Sequence, residues 1–441
     1  MEAAVNYNHI ADQLIADVKN GILKPGQRLL PQREFAYLHN IAPSTASRVY
    51  AELVKRGVAI GEVGRGTYIR AFDQIPPTLG EPAKEPINMQ LNFSVLPEQA
   101  GEMAQELKAL TRHDVLEASL EPVGVQKDDA NMRITANFLR QRDWPVSPDN
   151  ILYTGGGRQG LTAALAAVAS IGDRVGVEYL TYTVVMGIAA RLGIQLVPID
   201  MDEDGICLKS LQKSHQKAPL KAIYIQPTLH NPLGVSMSEQ RRGDLANYIK
   251  KENIIAIEDA VYAFLVNAEP FAALAPENTI YVDSLSKRLS PGLGYGMMVT
   301  PGPLINKCIA SIRMGGWTTS SIPFELCQRL MASGSVDRIS ELRRLDAKKR
   351  QSIAKKALSD FTIHSDPRSY HLWMELPKPW RAEEFAAHAA DKGVSITPAN
   401  LCAVEPGNAP NAVRLALAPP SFEQLDVGLE IIKNLALQEA Q

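Results

Sequence analysis

Two stretches, IIAIEDAVY at 254–262 and TIYVDSLSK at 279–287, decide the fold. Each is a short apolar run rich in β-branched residues, and each ends in side chains able to do chemistry. The first ends on Glu258-Asp259, with Tyr262 three residues on, and the second on Ser284-Leu285-Ser286-Lys287. Similar runs stand at Ile151–Tyr153, Arg174–Val177, Gln195–Pro198 and Ala222–Ile225, separated by amphipathic helical stretches. Strands alternating with helices in this way predict a mostly parallel sheet covered on both faces. The expected larger part is therefore α/β.

The polar residues at the strand ends fit one chemistry. A pyridoxal-phosphate site needs a lysine for the Schiff base, a carboxylate to keep the pyridine nitrogen protonated, and donors at the ring 3-oxygen. It also needs an aromatic stack and a phosphate cradle. Thr154-Gly155-Gly156-Gly157-Arg158-Gln159-Gly160 lies between a strand and the helical stretch Leu161–Ala169, where glycines let backbone N–H groups approach an anion at a helix N-terminus. Asn231 in QPTLHNPLG is a donor for the 3-oxygen, Asp259 the carboxylate beneath the ring nitrogen, and Tyr262 a second 3-oxygen partner. Ser284 and Ser286 are phosphate donors, and Lys287 is the aldimine lysine. Singly these signals are weak, because glycine turns recur in parallel α/β folds and a strand-end Asp is as often an N-cap. In this order along one chain they are specific.

Upstream, AFDQIPPTLGEPAKEP at 71–86 carries four prolines and a glycine and reads as a surface linker. It divides a head, 1–70, from a body, 87–441. In the head, Ile10, Leu14, Ile15 and Val18 recur at helical spacing, closed by Asn20-Gly21. A short helix is predicted from Gln32 to Leu38. A third opens at Pro43-Ser44-Thr45, shows Val49, Leu53 and Val54 on one face, and stops at Gly57. Val58–Ile60 and Thr67–Ile69 flank a glycine-rich tip, a β-hairpin. Three helices and a hairpin make a winged helix-turn-helix, whose third helix presents Ser44, Thr45, Ser47 and Arg48 to base edges. Arg33 and Arg65 suit phosphate or minor-groove contact. On pattern alone, a small helical dimerisation module with solvated arginines fits equally well.

Bulk properties bound the rest. At 441 residues, 45% hydrophobic and 21% charged, the chain is globular and multidomain. The head carries about +3 and the remainder about −5, a mild basic bias that suits a nucleic-acid partner. The longest apolar stretch, Leu161 to Ile171, is too short for a bilayer, which needs roughly twenty residues. The N-terminus lacks the apolar core of a signal peptide. Cys207, Cys308, Cys327 and Cys402 have no metal or disulfide spacing and read as reduced core thiols of a cytoplasmic protein, with no metal site.

Residues 25–69 resemble the GntR-family winged helix, best at QRE 32–34, STASRVYAELVKRG 44–57 and GRGTYI 64–69. The resemblance implies that Arg33, Ser44, Thr45, Arg48 and Gly66 approach double-stranded operator DNA. One departure is Leu30, which displaces the expected proline to 31. The ordered motifs of the body, with Tyr182 in VEYLTYTVV as ring-stacking aromatic, resemble the class I/II aminotransferases of fold type I. HLWMELP 371–377 and AVRLALA 412–418 resemble that family's small C-terminal domain, and Arg414 matches its arginine for a substrate carboxylate. INMQLNFSVLPEQ 87–99 resembles the start of this domain in the MocR-type regulators. The combination implies a homodimeric transcription regulator that binds pyridoxal phosphate and senses the cofactor or a small amino compound. The alternatives are an aminotransferase with an attached DNA-binding head, and a cofactor-free scaffold.

Two places depart from the aminotransferase pattern. Gly294 stands where the family has a phosphate-binding arginine seven residues after the lysine, and LEASLEPVGVQKDDA at 116–130 lacks the expected tyrosine. Arg158 and Arg288 are the candidates to supply the missing charge.

Overall fold

The computed structural model describes residues 7–19, 22–23, 27–55, 58–62, 66–69, 85–93, 96–140, 144–266, 268–315, 319–405 and 408–438. Arg65, Asn20-Gly21, Gly57 and all of the linker but Glu85 and Pro86 lie outside these. The chain divides into two compact units, Met1–Pro77 and Thr78–Gln441.

In the first unit, helices Tyr7–Lys19, Gln32–Leu38 and Pro43–Lys55 precede an antiparallel hairpin of Ala59–Glu62 and Gly66–Ile69. Leu30 does not disturb the second helix, which begins directly after Pro31; proline's fixed φ suits a helix entry. The third helix buries Ala46, Val49, Tyr50 and Leu53 almost completely. Their spacing draws one apolar stripe along it, packed on Ala11, Leu14, Phe35 and Ile69. Val54, expected on that face, is exposed, and Tyr50 takes the inward position. Leu29 N–H bonds to Thr67 O (2.8 Å) and Ile69 N–H to Gln27 O (2.9 Å), tying the wing to the entry of the second helix.

The second unit is built on a seven-stranded sheet. Its spatial order is 151–154, 296–299, 279–284, 255–259, 222–225, 174–178 and 195–199. Gly296–Val299 runs antiparallel to both neighbours, and the other six strands are parallel to one another. Strands 151–154, 222–225 and 279–284 are buried at every residue, as expected where helices cover both faces. Each large aliphatic side chain so buried contributes about 1.5–3 kcal/mol. A smaller antiparallel sheet joins 363–364, 371–375, 412–416 and 397–398, backed by helices Ala382–Asp391 and Phe422–Leu437. Ile87–Asn88 pairs with Val394–Ser395, so the beginning of this unit is stitched to its end. Cys308, Cys327 and Cys402 are buried, whereas Cys207 is only half-buried. Among the described residues no helix is long and apolar enough to cross a membrane.

Candidate functional site

The carboxyl ends of parallel strands open onto a common crevice in α/β sheets. Here they deliver Thr154, Glu178, Gln226, Asp259 and Ser284 to one region. Asp259 is buried, and its Oδ2 accepts from Tyr224 Oη (2.8 Å) and Gln226 Nε2 (3.0 Å). Burial pushes its carboxyl above the usual range against the pull of these bonds. Among the described residues no cation pairs with it. A buried carboxylate held in place and lacking a cation is suited to a pyridinium nitrogen.

The loop carrying Asn231 is pinned from below by buried Arg242, which donates to Pro227 O (2.7 Å), Thr228 Oγ1 (2.7 Å) and Met237 O (3.1 Å). Asn231 N–H donates to Gln226 Oε1 (2.9 Å), and its side-chain Oδ1 accepts from Arg414 Nη1 (2.9 Å). With the oxygen turned to Arg414, the amide nitrogen is left to donate. Arg414 is buried, and its Nη2 also donates to Thr397 Oγ1 (2.9 Å) and Gln90 O. Its Nε is buried without a hydrogen-bond partner among the described residues, which is costly for a charged group.

Lys287 Nζ donates to Asn92 O (3.0 Å) and lies 3.6 Å from the centre of the Phe93 ring. Burial first, then the charges of Arg414 and Arg158, bring its ammonium down to about 7. Much of it is thus a neutral, nucleophilic amine near pH 7. Tyr262 is buried beside it and accepts from Asn92 Nδ2 (3.2 Å).

The cradle is shaped as the glycine run implied. The helix Gly157–Val168 starts after Gly156, whose φ of +129° favours glycine. A Cβ on Gly157 would meet Val261 Cγ1 at 3.2 Å and Ser284 Oγ at 3.6 Å; one on Gly156 would lie 3.8 Å from Ser286 Oγ. Both serines therefore border the cradle. Gly294 lies against it too, its added Cβ 3.6 Å from Gly155 O, so the position of the absent arginine is beside the phosphate cradle. Arg158 is exposed on the first turn of the helix, and Tyr182 is half-buried.

Arg288 is not part of this set. Its guanidinium pairs with buried Asp283 and sits over the Phe138 and Phe264 rings at 4.9 and 5.3 Å. One step past Lys287, its side chain enters the core, and Asp283 neutralises it there. Sequence reasoning also missed Asn92, His371, Tyr224 and Gln226. The first two lie in quoted stretches, INMQLNFSVLPEQ and HLWMELP, whose spacing gives no hint that they meet.

In the first unit, Arg33, Ser44, Ser47 and Arg48 are exposed and Thr45 is half-buried. Gly66 opens the second hairpin strand.

Residues 6–69 match the bacterial regulatory proteins of the gntR family, and residues 123–432 match aminotransferase class I and II. YdeF of Bacillus subtilis, an uncharacterized HTH-type transcriptional regulator, is 30% identical over 97% of this chain and 94% of its own. The chain belongs to the MocR-type regulators. Another relative is the HTH-type pyridoxine biosynthesis transcriptional regulator PdxR of Corynebacterium glutamicum. It is 26% identical over 80% of this chain and 78% of its own. In fold, this MocR-type chain is similar to an archaeal alanine:glyoxylate aminotransferase, with a TM-score of 0.74 at 21% identity over 88% of this chain and 93% of that one. The GntR unit is a DNA-binding domain and the larger unit a pyridoxal-phosphate-dependent one. The residues present fit that cofactor: a lysine that burial brings down to about 7, a buried carboxylate without a cation among the described residues, and a glycine cradle bordered by two serines.

Proposed function

We propose that this regulator binds pyridoxal phosphate at Lys287 and reads a small amino compound carrying a carboxylate, altering how its winged helices engage an operator. The observation that carries this reading is the convergence of Lys287, Asp259, Asn231 and Arg414 on one crevice, in a chain that also bears a GntR head. When bound, the cofactor supplies an aldehyde that captures primary amines and a ring that accepts electrons. Lys287 is the amine that holds it. Asp259 keeps the ring nitrogen protonated, Asn231 Nδ2 donates to the 3-oxygen, and Tyr182 stacks on the ring. Gly156, Gly157, Ser284 and Ser286 receive the phosphate, and Arg158 supplies the cation that Gly294 does not. Arg414, fixed by Asn231 and Thr397, takes the carboxylate of the amino ligand.

Ligand control of DNA binding requires that the ligand discriminate between two arrangements of the protein. A homodimer with two heads on a (pseudo)palindromic operator provides them. Arg33, Ser44, Thr45, Ser47, Arg48, Arg65 and Gly66 form the DNA-facing set. The test is an absorbance spectrum of the full chain with added pyridoxal phosphate, wild type beside Lys287→Ala, followed by operator titration with and without cofactor and amine. A visible band lost in the variant, with operator affinity that changes on loading, supports the reading. Operator affinity indifferent to cofactor and amine removes ligand control. A second reading, a working aminotransferase, is favoured by the intact Lys287–Asp259–Arg414 set; sustained turnover of an amino acid with a 2-oxo acid would establish it.

A further inference from the structure

A small cavity beside Lys287 is lined by Asn92, Tyr262, Phe264, Arg343, Tyr370 and Ala418. Behind Tyr262 lies buried His371, whose ring centre is 5.6 Å from that of the tyrosine. His371 Nε2 is 3.0 Å from His230 O. A carbonyl oxygen only accepts, so Nε2 carries the ring proton. Burial holds the ring neutral, its pKa lowered to about 3, so Nδ1 has a lone pair and accepts. Its neighbours are Asn92 Nδ2 at 3.1 Å and Ser369 Oγ at 3.2 Å.

This fixes the Asn92 side chain. Turning its amide over would set Oδ1 against the Nδ1 lone pair, so the NH2 group faces His371. The same NH2 group reaches Tyr262 Oη at 3.2 Å. The arrangement is kept although Asn92 Oδ1 is then buried without a partner among the described residues, which typically costs about 1–3 kcal/mol. Tyr262 Oη accepts from Asn92, and no other hydrogen bond to it is found among the described residues. Its own proton is therefore left to point into the site.

We propose that His371 and Asn92 are positioning residues that make Tyr262 a hydrogen-bond donor toward the 3-oxygen of pyridoxal phosphate. The chain runs from the His230 carbonyl through His371 and Asn92 to Tyr262, and each member settles the polarity of the next. This inference rests on the cofactor reading above. It concerns the electronic state of the cofactor: a donor at the 3-oxygen stabilises negative charge there and weakens that oxygen's hold on a neighbouring proton.

The test is a pH titration of the visible absorbance of the full chain loaded with pyridoxal phosphate. It compares wild type, Tyr262→Phe, Asn92→Asp, His371→Phe and the Tyr262→Phe/Asn92→Asp double variant. Lys287, Asp259, Arg414 and Tyr182 surround the same space and are unchanged throughout. Asn92→Asp is isosteric but accepts the tyrosine proton instead of donating. It and His371→Phe should raise the pKa of the visible form by about half a unit to one unit, the size of one hydrogen bond. Tyr262→Phe should raise it at least as far, and the double variant no further. An Asn92→Asp shift of equal size with and without the tyrosine would show general disruption and overturn the relay, as would no shift in either single relay variant. A wild type that develops no visible band overturns the cofactor reading, and the relay with it.

Discussion

The ring end and the phosphate end of the site are built differently. At the ring end, Asp259, Asn231 and Arg414 are buried and tied to named partners at 2.8–3.0 Å, so folding alone sets their geometry. At the proposed phosphate end the groups on offer are backbone, two serines and exposed Arg158, and Gly294 stands at the position expected for an arginine. Preorganised charge in a dry site is worth far more than charge in water. Cofactor affinity should accordingly rest on the ring end and on Lys287, and depend only modestly on the phosphate. A regulator has use for such a balance, since reversible loading lets it report the cofactor's concentration.

The largest expected effect is that of Lys287→Ala, which should abolish the visible band entirely. Asp259→Ala should come next. Truncating one partner of a buried charge pair costs roughly 2–5 kcal/mol, so cofactor affinity measured by spectral titration should fall at least about thirtyfold. A loss of only threefold would break the contrast between the two ends. Arg158→Ala should weaken binding only about fivefold, on the order of 1 kcal/mol for an exposed charge. Pyridoxal, which lacks the phosphate, should bind wild type and this variant alike; equal losses for both would remove Arg158 from the phosphate site.

A separate readout is the pH dependence of the unloaded protein's stability. The Lys287 ammonium titrates near 7 when folded and near its ordinary, higher value when unfolded. Between these values the unfolded chain binds the extra proton, so this residue makes stability rise as pH climbs from about 7 toward 10. Below 7 both states are protonated and its penalty is complete. Thermal unfolding of Lys287→Met across that range should show a flatter pH profile than wild type.

The motif residues were legible because each lies on a contiguous strand–turn unit: an apolar run fixes the strand, and the next few residues are bound to reach its carboxyl end. Asp259, Ser284 and the 154–160 cradle are of this kind. Tyr224 was hidden by the same logic, since inside an apolar run it reads as core, yet its hydroxyl anchors Asp259. Asn92 and His371 were hidden because 279 residues separate them and only the assembled fold brings them to 3.1 Å. Arg288 misled because adjacency to Lys287 suggested a shared direction, whereas successive side chains diverge. Val54 misled because helical phase was read one residue too far, with Tyr50 filling the core instead.

The pairing of Ile87–Asn88 with Val394–Ser395 bears on where this unit begins. The match to the aminotransferase class I and II family starts at residue 123, and a truncation there looks natural. It would remove the strand paired with Val394–Ser395, and with it Gln90, which receives Arg414, and Asn92, which receives Lys287. The smallest fragment that keeps the pocket whole is therefore longer at its N-terminal side than the family match alone indicates. Its first indispensable residues are those that immediately follow the linker.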